Sequence, residues 1–413
     1  MTLFLAVPLM AQLVINRISE KLPGKLTVFG VIDSITLNLL WVIYAPFLKS
    51  LGYSGFEYGL LGSIMSFSGL LATLLIGWQI DRMKVVKLFT YVLFIDSLSI
   101  FLIATGVREL IILQSFIYGF TEQIFHISYD VLLSRISREK DYHYTYSYLF
   151  GMRSLGRAIG AYMGWIPGLL AFYLSIPIHD LYRWIIIVIA FTRLSLIPII
   201  GGVEEPNISP KIVKPIIKEV SIPWKTIGKF AIVGGLMGFG ASLSIHNISY
   251  YFVLKYNVES GELGSIFGSI DLFMAVLSFL LPDLAQRMGG SLRLYLFFSS
   301  LSIPLLIVIT FIDNYLFASA IYIIRSILMN VANPLYTAFQ MKIVPPMYRG
   351  RAAAIFNVSW MLPIGIGRGL GGYLLDIDLE LPLRLTAVLY VFSLIVLSIF
   401  FKEYIVKGEI EEK

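Results

Sequence analysis

The sequence predicts an all-α polytopic membrane protein, with twelve transmembrane helices in two pseudo-symmetric six-helix halves. Three observations carry that prediction. The 413-residue chain is 57% hydrophobic and only 14% charged, with a mean hydropathy of +0.81, whereas soluble domains carry roughly 25% charged residues. Its apolar residues come in blocks of about 20, the length at which a helix crosses roughly 30 Å of hydrocarbon. They do not alternate as barrel strands would. Its basic residues, finally, fall on alternate connections between blocks.

In chain order the blocks run approximately over 26–48, 57–79, 86–106, 109–133, 143–172, 181–202, 226–254, 261–281, 292–312, 315–343, 352–374 and 382–402. The stretch MTLFLAVPLMAQLVIN before them is apolar but short, and it lacks the basic start of a signal peptide. It is expected to lie along the membrane surface, so that 1–25 is an N-terminal cytoplasmic or interfacial segment. Blocks one to six make an N-terminal half, 26–202. The stretch VEEPNISPKIVKPIIKEVSIPWK follows, where Pro206, Pro210, Pro215 and Pro223 forbid one straight helix. It reads as a central cytoplasmic linker, 203–225. Blocks seven to twelve make a C-terminal half, 226–402, with a cytoplasmic tail at 403–413.

Charge sets the orientation. Of the 32 Lys and Arg, 22 lie in the tails and the even-numbered connections. Five lie on the opposite side (Lys49, Arg108, Arg183, Lys255 and Arg384), and five lie inside blocks. The positive-inside rule places both termini in the cytoplasm of a multi-pass cell-membrane protein. The net charge of +6 is therefore a topology signal, with no case for a nucleic-acid partner. Cysteine is absent, which excludes disulfides, thiolate chemistry and cysteine metal sites.

The two halves repeat. Glu57, Tyr58 and Gly59 align with Glu262, Leu263 and Gly264, and Arg82 and Met83 with Arg287 and Met288, both at an offset of 205. Further on the offset becomes 211, and Gly156, Arg157 and Gly160 match Gly367, Arg368 and Gly371. Two parallel repeats of six suggest halves related by an axis along the membrane normal.

The abrupt polar stretch GWQIDRMKVVK at 77–87 sits in the turn between blocks two and three. Gly77, Asp81 and Arg82, followed by Lys84 and Lys87, resemble motif A of the major facilitator superfamily. The twelve blocks, the central loop and the six-plus-six repeat resemble that superfamily across the whole chain, as does YRGRAAAIFNVSWMLPIGIGRGLGGYLLD at block eleven. The resemblance implies a latch at Gly77, Asp81 and Arg82, with Asp130 at the end of block four as its acidic partner. It also implies a central cavity lined by blocks one, four, seven and ten.

Ionisable residues inside a membrane cost about 2.5–3.5 kcal/mol each on insertion scales, so each needs a partner or a task. The four blocks named above carry Asp33 and Asn38, Glu122 and His126, His246 and Asn247, and Arg325, Asn330 and Asn333. Glu122, His126 and Asp130 form one helical stripe. Arg153 and Arg157 form a pair on block five, at a depth where either is expected to meet Glu122. Asp33, Glu122 and Asp271 are the expected proton carriers. Asn38, His126, Arg153, Arg157, His246, Asn247, Arg325, Asn330 and Asn333 are the expected substrate contacts. Asp96 and Arg193 are expected to be structural.

No HExxH, GxSxG or P-loop is present, and no extramembrane segment is long enough for a catalytic domain. The expectation is a secondary transporter, not an enzyme, with no cofactor and no metal site, working as a monomer in the bilayer. Its partners are a small-molecule substrate and protons. Proton-coupled efflux (antiport) of small organic or amphipathic compounds suits the acids on blocks one and four and the Gly-rich fifth block, which resembles that of exporters in the superfamily. The alternative is proton-coupled uptake or exchange of a small anionic metabolite or sugar, which suits Arg153, Arg157, Arg325 and Arg368.

Overall fold

Among the described residues, four of the twelve blocks fold as broken helices, and two of the breaks shape the centre of the molecule. The computed structural model describes residues 24–76, 79–80, 83–136, 142–205, 223–277, 290–345 and 348–407. The N-terminal half comprises α1 (Gly24–Ser50), α2 (Gly55–Ile76), α3 (Val85–Ala104), α4 (Arg108–Ile136), α5 (Tyr142–Tyr162), α6 (Trp165–Leu174), α7 (Ile178–Ser195) and α8 (Ile197–Gly201). The C-terminal half comprises α9 (Trp224–Ser244), α10 (Ile248–Tyr256), α11 (Ser260–Leu277), α12 (Ser291–Thr310), α13 (Tyr315–Val331), α14 (Asn333–Ile343), α15 (Arg349–Ile377), α16 (Leu381–Phe400) and α17 (Lys402–Lys407). Among the described residues, nine helical spans are long and apolar enough to cross a membrane. The described residues of the remaining blocks, five, eight and eleven, are also helical. The N-terminal stretch 1–23, most of the linker, and Gly77, Asp81 and Arg82 lie outside the described residues.

Block seven breaks at a 3-10 turn over Ile245–Asn247, between α9 and α10. Block ten breaks at Ala332, where Pro334 in the first turn of α14 has no N–H to continue the ladder. Irregular backbone at membrane depth is tolerated where protein or a cavity, rather than lipid, surrounds it. Both breaks border the central cavity. Blocks five and six break at 163–164 and 196, ahead of Pro167 and Pro198.

Glycine lets the halves approach along two equivalent seams. In one, α2 packs on α15, and a Cβ on Gly59 would strike the Arg368 carbonyl. In the other, α11 packs on α5, and a Cβ on Gly264 would strike the Ala161 carbonyl. These glycines are the pair related by the 205-residue offset. The cap is repeated as well: Ser54 N donates to Glu57 Oε2 at 2.8 Å, and Glu259 N to Glu262 Oε2 at 3.1 Å.

Among the described residues, a group of bonds joins the halves at one end. The Asp376 carboxylate accepts from Gly55 N at 2.6 Å and Phe56 N at 2.8 Å, capping α2 from across the interface. Lys49 Nζ donates to Val253 O and Asn257 Oδ1, both at 2.8 Å, and Ser260 Oγ donates to Gly164 O at 2.7 Å. The Tyr250 hydroxyl donates to Tyr53 O, and the Tyr250 ring stacks on Tyr58 at 4.4 Å. This closed end is the one that carries the five basic residues of the sparse side. At the other end, Glu205 joins elements of one half. Glu205 pairs with Arg135 and accepts from Val85 N and Val86 N at 3.1 Å each, capping α3.

Candidate functional site: a central cavity between the halves

The cavity begins with the break at His246. That side chain lines three adjoining pockets of about 350, 570 and 420 Å³. The first lies between the halves, with Glu122 and Gln123 on α4 facing Asn357, Trp360 and Arg368 on α15. The second lies within the C-terminal half, around Arg325, Asn330 and Asn333. The third lies beneath the closed end, with Asn38, Arg157, Asp271 and Arg368 on its walls.

Glu122 does not pair with either arginine of α5. Its Oε1 meets His126 Nε2 at 2.9 Å, one turn on along the same helix. Arg153 lies with its guanidinium 4.6 Å from the Tyr129 ring centroid and its Nε 3.5 Å from Ser34 Oγ. Arg157 points across the interface, where its Nε donates to Asp271 Oδ1 at 3.2 Å. Asn38 Nδ2 completes this bridge, donating to Arg157 O at 2.7 Å and Asp271 Oδ2 at 3.2 Å. Similar depth along α4 and α5 does not suffice for a pair; the direction each side chain takes around its helix decides it.

Asp33 sits apart from these three pockets. Its Oδ1 accepts from Arg193 Nη1 at 2.6 Å, while Arg193 Nη2 donates to Asp96 Oδ2 at 2.7 Å. Thr121 Oγ1 donates to the other Asp96 oxygen at 3.0 Å. The Arg193 and Asp33 side chains are fully buried. Asp33 and Asn38 lie five residues apart, about 140° around a helix at roughly 100° per residue, so they cannot share the cavity face. Asp130 lies on an exposed part of α4, and its expected latch partners fall outside the described residues.

In the C-terminal half, Asn247 is buried and its Nδ2 donates to Arg368 O at 2.9 Å. That repeats the Asn38 bond to Arg157 O in the other half. Asn330 Nδ2 donates to Ser326 O at 2.9 Å and accepts at Oδ1 from Asn333 Nδ2 at 3.2 Å. Arg325 is 1% exposed, its guanidinium carbon 5.6 Å from the Tyr390 ring centroid. Neither Arg325 nor Arg368 pairs with a carboxylate among the described residues. Nε and Nη2 of Arg325, and Nε of Arg368, meet no acceptor.

The expected set omits Trp41, Gln123, Asn357 and Trp360, and leaves Arg368 out of the substrate contacts. The last three named lie on α15, at 357, 360 and 368, with Ile364 between; that spacing is a helical stripe readable in the sequence. It is easily passed over because block eleven is not one of the four helices expected to line a cavity.

Among solved structures, the fold is similar to a bacterial homologue of the human lysosomal transporter Spinster, in an inward-facing, occupied conformation. That match has 14% identity, covers 94% of this chain and 98% of the other, and has a TM-score of 0.70. The nucleoside transporter NupG is similar at 14% identity, over 92% and 98% of the two chains, with a TM-score of 0.65. A bacterial homologue of the iron transporter ferroportin, in an inward-facing state, is similar at 16% identity over 91% and 98%, with a TM-score of 0.68. At such identities the likeness is one of fold. No curated protein matches the chain. The sequence matches the Major Facilitator Superfamily over residues 26–368, and the chain belongs to that family of transporters.

Proposed function

We propose that this transporter moves a small organic anion across the cytoplasmic membrane by uptake or exchange, alternating access by rocking 26–202 against 226–402 about the 203–225 linker. One observation carries the choice of an anion. Arg157 and Arg368 are equivalent residues of the two repeats, yet only Arg157 has a carboxylate partner, Asp271. The residue equivalent to Asp271 at the offset of 205 is Ser66, which lines the interhalf pocket with Arg368. Arg368 therefore keeps an uncompensated positive charge on the cavity wall, and a substrate carboxylate or phosphate is its natural counter-charge. With the termini cytoplasmic, as the basic residues direct, the closed end faces outward and this conformation opens inward. The monomer suffices, since both halves of the cavity come from one chain.

Protons couple through Glu122, which lies on the cavity wall and pairs with His126. Proton-coupled efflux of amphipathic compounds is the second reading, and Glu122 on the cavity wall favours it. It loses a carrier in Asp33, which is enclosed with Arg193.

The test is to restore the missing symmetry. Ser66→Asp should pair with Arg368, cutting anion counterflow in proteoliposomes by about tenfold or more, the scale of losing a charge-assisted contact; Ser66→Asn should not. Counterflow of carboxylates and phosphate esters at the unmodified rate in Ser66→Asp would sink the anion reading. Glu122→Gln should abolish uptake driven by a pH gradient while leaving exchange intact. Undiminished gradient-driven uptake would remove Glu122 as the proton carrier.

A further inference from the structure

The geometry points to a flat organic monoanion as the ligand of the pocket inside the C-terminal half, its acid group held by Arg325 and its body by an aromatic and methionine wall. This rests on the anion reading above but adds a site and a chemical class to it.

Charge comes first. The pocket of about 570 Å³ falls within the usual range for small-ligand sites, about 300–1,000 Å³. Its 21 lining residues include no Asp, Glu or Lys; Arg325 and His246 are its basic members. A guanidinium taken out of water without a counter-ion is costly, and a ligand bearing one negative charge relieves that cost. The contrast with Arg193 is direct. That arginine is equally buried but has two carboxylates, and it lines none of the three pockets.

The acid group follows from that charge. Nε and Nη2 of Arg325 are buried and meet no acceptor, so the residue lines the pocket with its guanidinium uncompensated, and a planar guanidinium favours a carboxylate as counter-ion. The walls define the body. The Tyr295 and Tyr336 rings, stacked at 4.4 Å and 15°, stand in the wall, and Phe356, Trp360, Met237 and Met329 supply further apolar surface. Asn333, Gln340 and Asn357 add hydrogen-bonding groups for a ring substituent. A lipophilic cation would find no carboxylate in this pocket, and an uncharged sugar would leave Arg325 uncompensated.

The experiment uses purified full-length protein and matched probes: benzoate and 4-hydroxybenzoate against benzamide, benzylamine and inorganic phosphate. Thermal shift and quenching of tryptophan fluorescence report binding. The aromatic carboxylates are expected to raise the Tm and quench, whereas the isosteric amide, the amine and phosphate do neither. Arg325→Met should lower aromatic carboxylate affinity by at least about 30-fold without lowering the Tm of the ligand-free protein. Arg325→Lys, which keeps the charge and loses the fork, should fall between. Benzamide binding as tightly as benzoate, or benzoate binding unchanged in Arg325→Met, would overturn the inference; so would the absence of any aromatic carboxylate binding at millimolar concentration. If small anions are transported with the expected sensitivity to Ser66→Asp while no aromatic carboxylate binds, the transport reading stands and this pocket assignment alone falls. Binding through Arg325 without transport of any anion would reverse that outcome.

Discussion

Arg193 in the N-terminal half and Arg325 in the C-terminal half are the two largest fully buried side chains among the described residues. The first lies between Asp33 and Asp96; the second meets no carboxylate. The same difference recurs at the interface, where Arg157 is bridged to Asp271 and its repeat partner Arg368 has Ser66 in the corresponding place. The backbone framework is shared, down to the Asn38 and Asn247 bonds to the carbonyls of those two arginines. The repeat thus preserves packing and backbone hydrogen bonding while letting charge compensation diverge. Arg193 and Arg157 are held by carboxylates, whereas Arg325 and Arg368 bring uncompensated positive charge to the cavity.

The largest expected effect breaks this comparison at its clearest point. Removing one partner of a buried ion pair costs about 3–5 kcal/mol, because the remaining charge is stranded. Arg193→Met should therefore lower thermal stability sharply, and adding Asp33→Asn and Asp96→Asn should recover much of the loss. Arg325→Met should leave the ligand-free protein as stable or more so, since it removes a charge that has no partner. Equal losses in Arg193→Met and Arg325→Met, read by thermal unfolding in one detergent, would mean the halves do not differ in this way.

A smaller effect should be the same in both halves. Gly160→Ala would push a Cβ into the Ile35 carbonyl, and Gly371→Ala into that of Leu243. Both contacts are with backbone, which yields little, so each substitution should cost about 1–3 kcal/mol. A large disparity between the two, measured as the change in unfolding midpoint, would show that the repeat does not extend to packing.

The smallest concerns the closed end. Asp376→Ala removes the cap that α15 places on α2, an interaction worth about 0.5–2 kcal/mol. The balance between closed and open at this end should shift roughly 2- to 30-fold. Because the chain has no cysteine, a single Ser249→Cys beneath the closed end can be labelled without background. Its reaction with an impermeant maleimide from that side should accelerate in Asp376→Ala. Unchanged labelling would remove the cap from the gating contacts.

Much of the candidate site is legible in the amino-acid sequence. Asn38, His246, Asn330 and Asn333 stand out because polar residues on three apolar blocks have no lipid-facing explanation, and each lines a pocket. Glu122 and Asp271 also reach the cavity walls. The pairing of charges is not legible. Depth alone puts Glu122 on Arg153 or Arg157, yet it lies on His126. Asp33, expected to face the substrate, faces Arg193. The contribution of α15 is easily missed although its stripe of Asn357, Trp360 and Arg368 has plain helical spacing. The capping carboxylates of Glu205 and Asp376 carry no local sign, because each caps a helix more than a hundred residues away.

By itself, the sequence determined that this chain is a helical membrane protein and that stretches of its two parts repeat. Those properties are sums over neighbouring residues: hydropathy accumulates along a segment, and a repeat is a comparison of one stretch with another. Only the tertiary structure decided which buried charges neutralise one another. An ion pair depends on the rotation of two helices about their own axes and on the distance between segments far apart in the chain. Asp271 reaches Arg157 because α11 packs on α5 through Gly264, and Arg368 stays uncompensated because the equivalent seam presents Ser66.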